Sequence, residues 1–159
     1  MSEPHRLPPI EVFAIDTIEQ LAGVLPRRTP WFTLLLIWDA PDFEPTDLAG
    51  VFRPLVDSGL AYLCTWGQGC EEVHDAVDLA VVQKEAEQGE LPYVLMSTWH
   101  SDEPLGEALR FFSAEALPSD AEVFANCARY AVTVGSQEHA RRLRQALLRL
   151  GISSGEMPK

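Results

Sequence analysis

The sequence predicts a single three-layer α/β sandwich, with helices on both faces of a mostly parallel sheet of four to five strands. Strand-like and helix-like segments alternate along the chain, which is the pattern of such a sandwich. Two of the predicted strands, Thr33–Trp38 and Ala61–Trp66, are apolar along their whole length. Such strands are typical of a parallel sheet that is covered on both faces. We therefore expect a Rossmann-like or flavodoxin-like arrangement, with the strand order 2-1-3-4-5 favoured by analogy.

The predicted strands are short apolar or alternating segments. In order, they are Ile10–Ile15, Thr33–Trp38, Ala61–Trp66, Tyr93–Thr98 and Tyr130–Val134. The helices carry apolar residues at intervals of three and four. They span Thr17–Leu25, Thr46–Asp57, Cys70–Gln88, Leu105–Ala114 and His139–Leu150. A short turn capped by Asp120 is expected to run through Cys127.

Local signals set several of these boundaries. Thr17 and Gln20 have the spacing of a capping box, which predicts that the first helix begins there. Gly89 and Gly151 follow the last periodic residue of two helices and are expected to end them. Pro54 lies inside the second helix, which it should kink or shorten.

The length of 159 residues predicts one domain that spans the whole chain. We expect an ordered core over about residues 10–151 with flexible ends. The first nine residues include two adjacent prolines and have no periodicity, and the last seven are mostly small and polar.

Charge and apolar content exclude several classes of partner. The net charge of −12 disfavours nucleic acid, because proteins that bind it draw on a basic face. The four arginines near the C-terminus are interpreted as a solvated helix face. No apolar run approaches the length of a membrane helix, and the first residues do not resemble a signal peptide. Three cysteines without a signal peptide predict reduced thiols and a cytoplasmic protein.

Polar residues follow the predicted strands directly and should meet at one edge, because parallel strands all end at the same side of a sheet. Three of these strands also finish with a tryptophan. Together these residues are the candidate ligand- or partner-binding set: Trp38, Asp39, Trp66, Gly67, Gln68, Gly69, Glu71, Trp99 and Ser136. The alternative for the three tryptophans is that they cap the core beneath the loops.

The turn Gly67-Gln68-Gly69 resembles half of a phosphate-binding loop, since backbone N–H groups at a helix start attract anions. The next position of the full motif is Glu72 rather than glycine, and two glutamates at the helix start would repel a phosphate. A tight strand-to-helix turn is the simpler interpretation.

A cysteine at the start of a helix is a candidate nucleophile, because the helix dipole favours its thiolate. Cys70 has this position, with His74 four residues later on the same helix face. His100 is a second candidate base, with Asp102 close enough to orient it. These four residues are the candidate catalytic set, while Cys64 and Cys127 are expected to lie in the core.

Metal binding is the other chemical interpretation of the same side chains. Asp39, Cys70, His74, His100 and Asp102 are all ligand types, but their spacing matches no known local metal motif. We therefore predict no metal site and no cofactor. His74 is more simply explained by an exposed charge pair with Glu71 and Asp78 on the helix surface.

The segments TLLLIWDAPD (residues 33–42) and AYLCTWGQGCEEVHD (residues 61–75) are similar to a family of small bacterial domains of uncharacterised function. The resemblance covers about residues 31–150. It implies a bacterial origin and no particular activity, and the ten arginines and two lysines are compatible with a bacterial genome of high GC content.

Two functions are compatible with these observations. The first is a non-enzymatic protein-binding, regulatory or accessory module, of the immunity type for example, that docks a partner with a basic surface. Its acidic helix and its tryptophan-lined edge motivate this hypothesis. The second is a small-ligand binder or an enzyme with a Cys/His/Asp site, working with or without a metal ion, at the C-terminal edge of the sheet.

Overall fold

A computed structural model of the protein describes residues 7–156. Within these residues six strands form one sheet: β1 (Ile10–Ile15), β2 (Trp31–Ile37), β3 (Leu60–Trp66), β4 (Met96–His100), β5 (Cys127–Val134) and β6 (Ser154–Glu156). A short 3-10 turn, Ile18–Gln20, precedes the first helix. The helices are α1 (Leu21–Val24), α2 (Pro45–Asp57), α3 (Cys70–Gln88), α4 (Leu105–Ala114), α5 (Ala121–Ala125) and α6 (Gln137–Leu150).

Every strand pair in the sheet is parallel, which confirms the predicted α/β architecture. The sheet has six strands rather than the four to five expected, and its order is β4-β3-β2-β5-β1-β6 rather than the flavodoxin-like 2-1-3-4-5. The extra strand, β6, pairs with β1 over only three residues. Its sequence Ser-Gly-Glu has no apolar pattern, so nothing in the local sequence marked it as a strand.

Helices cover both faces of the sheet, and the core is divided accordingly. Side chains of β2 alternate between the faces, as the pleat requires. Leu34 and Leu36 pack with α2 and α3, and Leu35 and Ile37 pack with α4 and α6. The continuous apolar run in this strand is thus explained by burial on both sides.

The fourth predicted strand differs most from expectation. The apolar segment Tyr93–Thr98 was predicted as a core strand, but the strand begins at Met96, runs to His100 and lies at the edge of the sheet. The side chains of Val94 and Met96 are exposed, with 64% and 45% of their surface accessible. Local apolar content therefore predicted a strand but not its position.

Several local boundaries agree with the sequence. The capping box forms, and Gln20 accepts a hydrogen bond from the Thr17 backbone at 3.1 Å. Helix α3 runs from Cys70 to Gln88 as predicted. Pro54 does not shorten α2, which continues to Asp57. The proline lacks only its own N–H, so it removes a single internal hydrogen bond.

The prediction of flexible ends falls partly on residues 1–6 and 157–159, which lie outside the described residues. Residues 154–156 form β6, so the regular structure extends beyond the expected limit of residue 151. Among the described helices, none has the length and apolarity that crossing a membrane requires.

Candidate functional site

The C-terminal ends of β3 and β4 open into a cleft of about 500 Å³, which we call the acidic cleft. The chain leaves β3 towards α3 on one face of the sheet and leaves β4 towards α4 on the other. Diverging connections of this kind create a crevice between neighbouring parallel strands. The cleft is lined by Asp39, Trp66, residues 67–72 and residues 100–103. The parallel sheet thus gathers Asp39, Cys70, His100 and Asp102 around one space.

The Gly67–Gly69 turn is held against the end of β2. Gly67 has a φ of 122°, and a Cβ atom there would lie 2.3 Å from the carbonyl oxygen of Trp38. The Gln68 amide donates to Asp39 Oδ1 at 2.8 Å, and the Gln68 carbonyl accepts from the Ala40 amide at 2.8 Å. The Gln68 amide, which a bound anion would need, therefore already donates to a carboxylate of the protein. The Asp39 carboxylate occupies the position that such an anion would take. These contacts explain the glycines by close backbone packing.

Cys70 lies at the floor of the acidic cleft with only 3% of its surface exposed. Burial raises the pKa of its thiol, and hydrogen bonding from backbone amides, that of His100 foremost, offsets only part of this effect. The position at the start of α3 therefore does not produce a thiolate at neutral pH. This sulfur behaves as a small buried side chain, like those of Cys64 and Cys127.

His100 uses both ring nitrogens within the protein. Its Nε2 hydrogen-bonds with Thr98 Oγ1 at 2.9 Å, and its Nδ1 contacts the carboxylate of Glu103. The ring also packs against Phe111 with centroids 4.8 Å apart. The sequence predicts Asp102 as the carboxylate that orients His100, but in the structure Glu103, three residues after the histidine, makes this contact. Asp102 lines the cleft in a left-handed conformation with φ of 58°.

His74 lies apart from the acidic cleft, on the side of α3 that faces β4. Its Nδ1 hydrogen-bonds with the Ser97 hydroxyl, and its Nε2 is 3.3 Å from Asp78 Oδ2. Its ring packs on Trp99 with centroids 4.6 Å apart. The predicted contact with Asp78 therefore forms, and these contacts direct His74 towards β4 rather than towards Cys70.

The three tryptophans occupy three different environments. Trp38 is buried and stacks with Phe43. Trp66 is half-buried, and its indole N–H donates to the Glu103 carbonyl at 2.8 Å. Only Trp99 is substantially exposed, at 43%. Two of the rings therefore cap the core, and the third contributes to the surface beside β4.

A second cleft of about 390 Å³ opens at the ends of β1, β2 and β5 and contains His139, which sequence analysis placed only in a helix. Ser136 caps α6 by accepting from the His139 amide at 3.1 Å. The His139 ring packs against Trp66, and its Nε2 lies 3.6 Å from Asp39 Oδ2. Its buried Nδ1 has no hydrogen-bond partner among the described residues. A histidine in the first turn after a strand was the signal available in the sequence.

The acidic cleft is strongly negative. Its lining includes five carboxylates and one histidine: Asp39, Glu71, Glu72, Asp102, Glu103 and His100. Across residues 7–156, no group of three or more His, Cys, Asp or Glu side chains is arranged to hold a metal ion. The electrostatics suit a positively charged organic group better than a phosphate.

The outer edge of β4 forms a second candidate surface, which we call the β4 edge. No strand of the described chain pairs with its outer side. Its sequence Met-Ser-Thr-Trp-His contains no Lys, Arg, Asp, Glu or Pro. Met96 and Trp99 within the strand and Val94 just before it are exposed apolar residues. Unpaired main-chain groups are therefore available there beside apolar side chains.

The chain belongs to a family of domains of unknown function, DUF7684, whose family model matches residues 11–149. This membership confirms the resemblance to an uncharacterised domain family. The matched range includes the acidic cleft and the β4 edge. No curated protein and no solved structure matches the chain.

Proposed function

We propose that this domain is a protein-binding, regulatory or accessory module that docks its partner at the β4 edge. The observation that carries the proposal is an edge strand that is exposed, uncharged and flanked by apolar side chains. Soluble proteins usually protect such edges with charges, prolines, bulges or covering loops, because an open edge pairs readily with other chains. An unprotected edge is therefore expected to have a partner.

The chemistry of the surface favours an extended segment of another protein. In β-strand addition, main-chain hydrogen bonds provide affinity and side-chain contacts provide specificity. Met96 and Trp99 are the exposed side chains that a docked segment would contact. Aromatic residues and methionine are enriched in the centres of protein interfaces.

The neighbouring helix favours a partner with basic residues. Helix α3 lies beside β4 through the contacts of His74 with Ser97 and Trp99. It carries exposed carboxylates at Glu71, Glu72, Asp75 and Asp78. A net charge of −12 opposes pairing with a second copy of the same chain and steers a basic partner towards this surface.

The test compares three single substitutions of exposed apolar residues in pull-down experiments from the native host. Met96→Lys places a charge on the β4 edge, and Trp99→Ala removes the exposed ring. Leu148→Lys is the matched control, because Leu148 is an exposed apolar residue on α6, away from β4. We expect the wild type and L148K to retain the same partner and M96K and W99A to lose at least tenfold in affinity for it.

Hydrogen exchange identifies the surface at which the partner binds. On binding, the backbone amides of residues 96–100 should exchange more slowly in the wild type. A partner that M96K and W99A retain at wild-type affinity, or protection confined to another face, would contradict docking at this edge. Self-association that M96K abolishes would identify a second copy as the occupant instead.

A second candidate function is binding of a small positively charged ligand in the acidic cleft. Its volume of about 500 Å³ lies within the range of small-molecule sites, and its five carboxylates favour a cation. Cys70, His100 and Asp102 would line this site, whereas His74 belongs to the β4 edge. Titration with spermidine tests it, and Asp102→Asn with Glu72→Gln should weaken binding severalfold.

The enzymatic form of this second candidate requires a reactive Cys70. Its buried thiol, with a raised pKa, favours binding over nucleophilic catalysis. Alkylation of Cys70 by iodoacetamide at pH 7 faster than that of glutathione would support the enzymatic form instead.

We further propose that the protein works in the cytosol of a bacterium. The three cysteines are free and buried, as expected of a protein kept in a reducing compartment. Mass spectrometry of the natively purified protein after alkylation under denaturing conditions tests this, with three modified thiols expected.

A further inference from the structure

A groove of about 600 Å³ lies between α4 and α6, on the face of the sheet away from α3, and we call it the arginine groove. Trp66 and Glu103 form the wall that separates it from the acidic cleft. Arg110 of α4 and Arg142 and Arg149 of α6 line it. The apolar part of its lining comes from Leu105, Ala146 and Leu150.

The arginines of this groove are unusual for so acidic a protein. The chain has 24 acidic and 12 basic residues, so carboxylate partners are abundant. Arg53 and Lys84 are both held in ion pairs with Asp57. Arg110 and Arg149, in contrast, have no carboxylate partner within residues 7–156. Two unpaired guanidinium groups therefore face one groove.

The groove favours a particular class of ligand. Guanidinium groups bind phosphate and carboxylate through paired hydrogen bonds, and a phosphate monoester carries close to two negative charges. The apolar lining can cover the organic part of such a ligand. Glu107, which also lines the groove, can accept hydrogen bonds from sugar hydroxyls. The volume is that of a small-molecule site.

The surroundings exclude long polyanions. The acidic cleft lies directly beyond Trp66 and would repel a phosphate backbone that extended past the groove. The net charge of −12 also disfavours binding of a long polyanion. We therefore propose that the arginine groove binds a phosphorylated organic molecule of mononucleotide size, with its phosphate on Arg110 and Arg149. Arg142, which is held 3.2 Å from a Glu138 carboxylate oxygen, adds positive charge beside them.

Calorimetric titration of the full chain with AMP, ADP and inorganic phosphate tests the assignment. Fluorescence from Trp66 provides a second signal in the same wall. We expect saturable binding of a nucleotide, at least tenfold tighter than binding of inorganic phosphate. Arg110→Ala combined with Arg149→Ala should raise its Kd at least tenfold.

Arg27→Ala is the matched control, because Arg27 is an exposed arginine on the side of the sheet that α2 covers. It should leave the Kd unchanged within twofold, and thermal unfolding should confirm that all variants are folded. Absence of saturable nucleotide binding at millimolar concentration would overturn the proposal. So would an equal loss in R27A, equal binding of inorganic phosphate, or binding of a phosphoserine peptide without any nucleotide.

Discussion

In β2, residues Leu34–Ile37 lie between helices on both faces and are almost completely buried, whereas in and beside β4 the residues Val94, Met96 and Trp99 are exposed. Both segments carry large apolar side chains, and both strands belong to the same parallel sheet. The difference shows that apolar residues serve two purposes in this chain. At the centre of the sheet they stabilise the fold, and at the β4 edge they offer a surface that the fold itself leaves uncovered.

The polar side chains divide in the same way. At the C-terminal end of β4, His100 contacts the carboxylate of Glu103, and Phe111 packs against the imidazole ring. His74, Asp78 and Ser97 form a separate cluster beside the exposed Trp99. The candidate catalytic residues are therefore split between the acidic cleft and the β4 edge.

The largest expected effect comes from a matched pair of substitutions in the two segments. Leu36→Ala removes a buried side chain from β2 and should lower the free energy of unfolding by about 2–5 kcal/mol, because it loses apolar burial and leaves a cavity. Met96→Ala removes an exposed side chain and should change it by less than about 1 kcal/mol. Urea unfolding followed by circular dichroism measures both. Equal losses would show that β4 is as buried as β2.

A smaller effect is expected at the turn that joins the sheet to α3. Gly67→Ala should lower the free energy of unfolding by roughly 1–3 kcal/mol, because φ is 122° and the new Cβ would clash with the Trp38 carbonyl. Gly50→Ala is the control: Gly50 lies in α2 with open space around it, and alanine there should stabilise by about 0.5–1 kcal/mol. A neutral G67A would mean that the turn is not packed against β2 as described.

The effect that is smallest at neutral pH is the titration of the buried thiols. Burial raises the pKa of the Cys64 and Cys127 thiols from 9.0 to about 12. Both thiols hold their protons in the folded protein at pH values where the unfolded chain loses them. These two thiols therefore leave stability unchanged below about pH 9 and lower it as the pH rises from 9 towards 12, by about 1–2 kcal/mol per thiol at pH 10.

Cys64→Ala should flatten this decline, measured as the free energy of unfolding between pH 8 and pH 11. The loss of packing in Cys64→Ala lowers the free energy of unfolding by the same amount at every pH. The slope of this free energy against pH therefore reports only the titration of the thiol. An unchanged slope in Cys64→Ala would mean that this thiol is accessible to solvent, and the central part of β3 would then resemble the β4 edge.

Much of the fold was predictable because its signals are local. The start of α3 at Cys70 and its end at Gln88 follow from glycines at either side and from apolar spacing within the helix. The capping box at Thr17 depends on residues three positions apart. The parallel sheet was predictable because strands buried on both faces must be apolar throughout, and this also predicted that residues after successive strands would share one rim.

The site was predictable only in part. Asp39, Cys70, His100 and Asp102 line one cleft, as the parallel arrangement implies. The partners of the histidines were not predictable. Glu103 rather than Asp102 contacts His100, and His139 approaches Asp39 from a helix one hundred residues away. Such contacts depend on the path of the backbone in a turn and on which strands are neighbours.

The amino-acid sequence by itself determined where most of the strands and helices form, that the sheet is parallel and that Cys64 and Cys127 are buried. Tertiary structure alone decided the strand order, the short β6, the exposure of β4 and the meeting of α4 and α6 around three arginines. The physical reason is that an apolar run indicates how strongly a segment favours burial. The identity of the strands beside it depends instead on packing between elements that are distant in the sequence. Main-chain hydrogen bonds then form between the strands that this packing brings together. Because nearly every residue has the same main-chain groups, the sequence does not indicate which strands will pair.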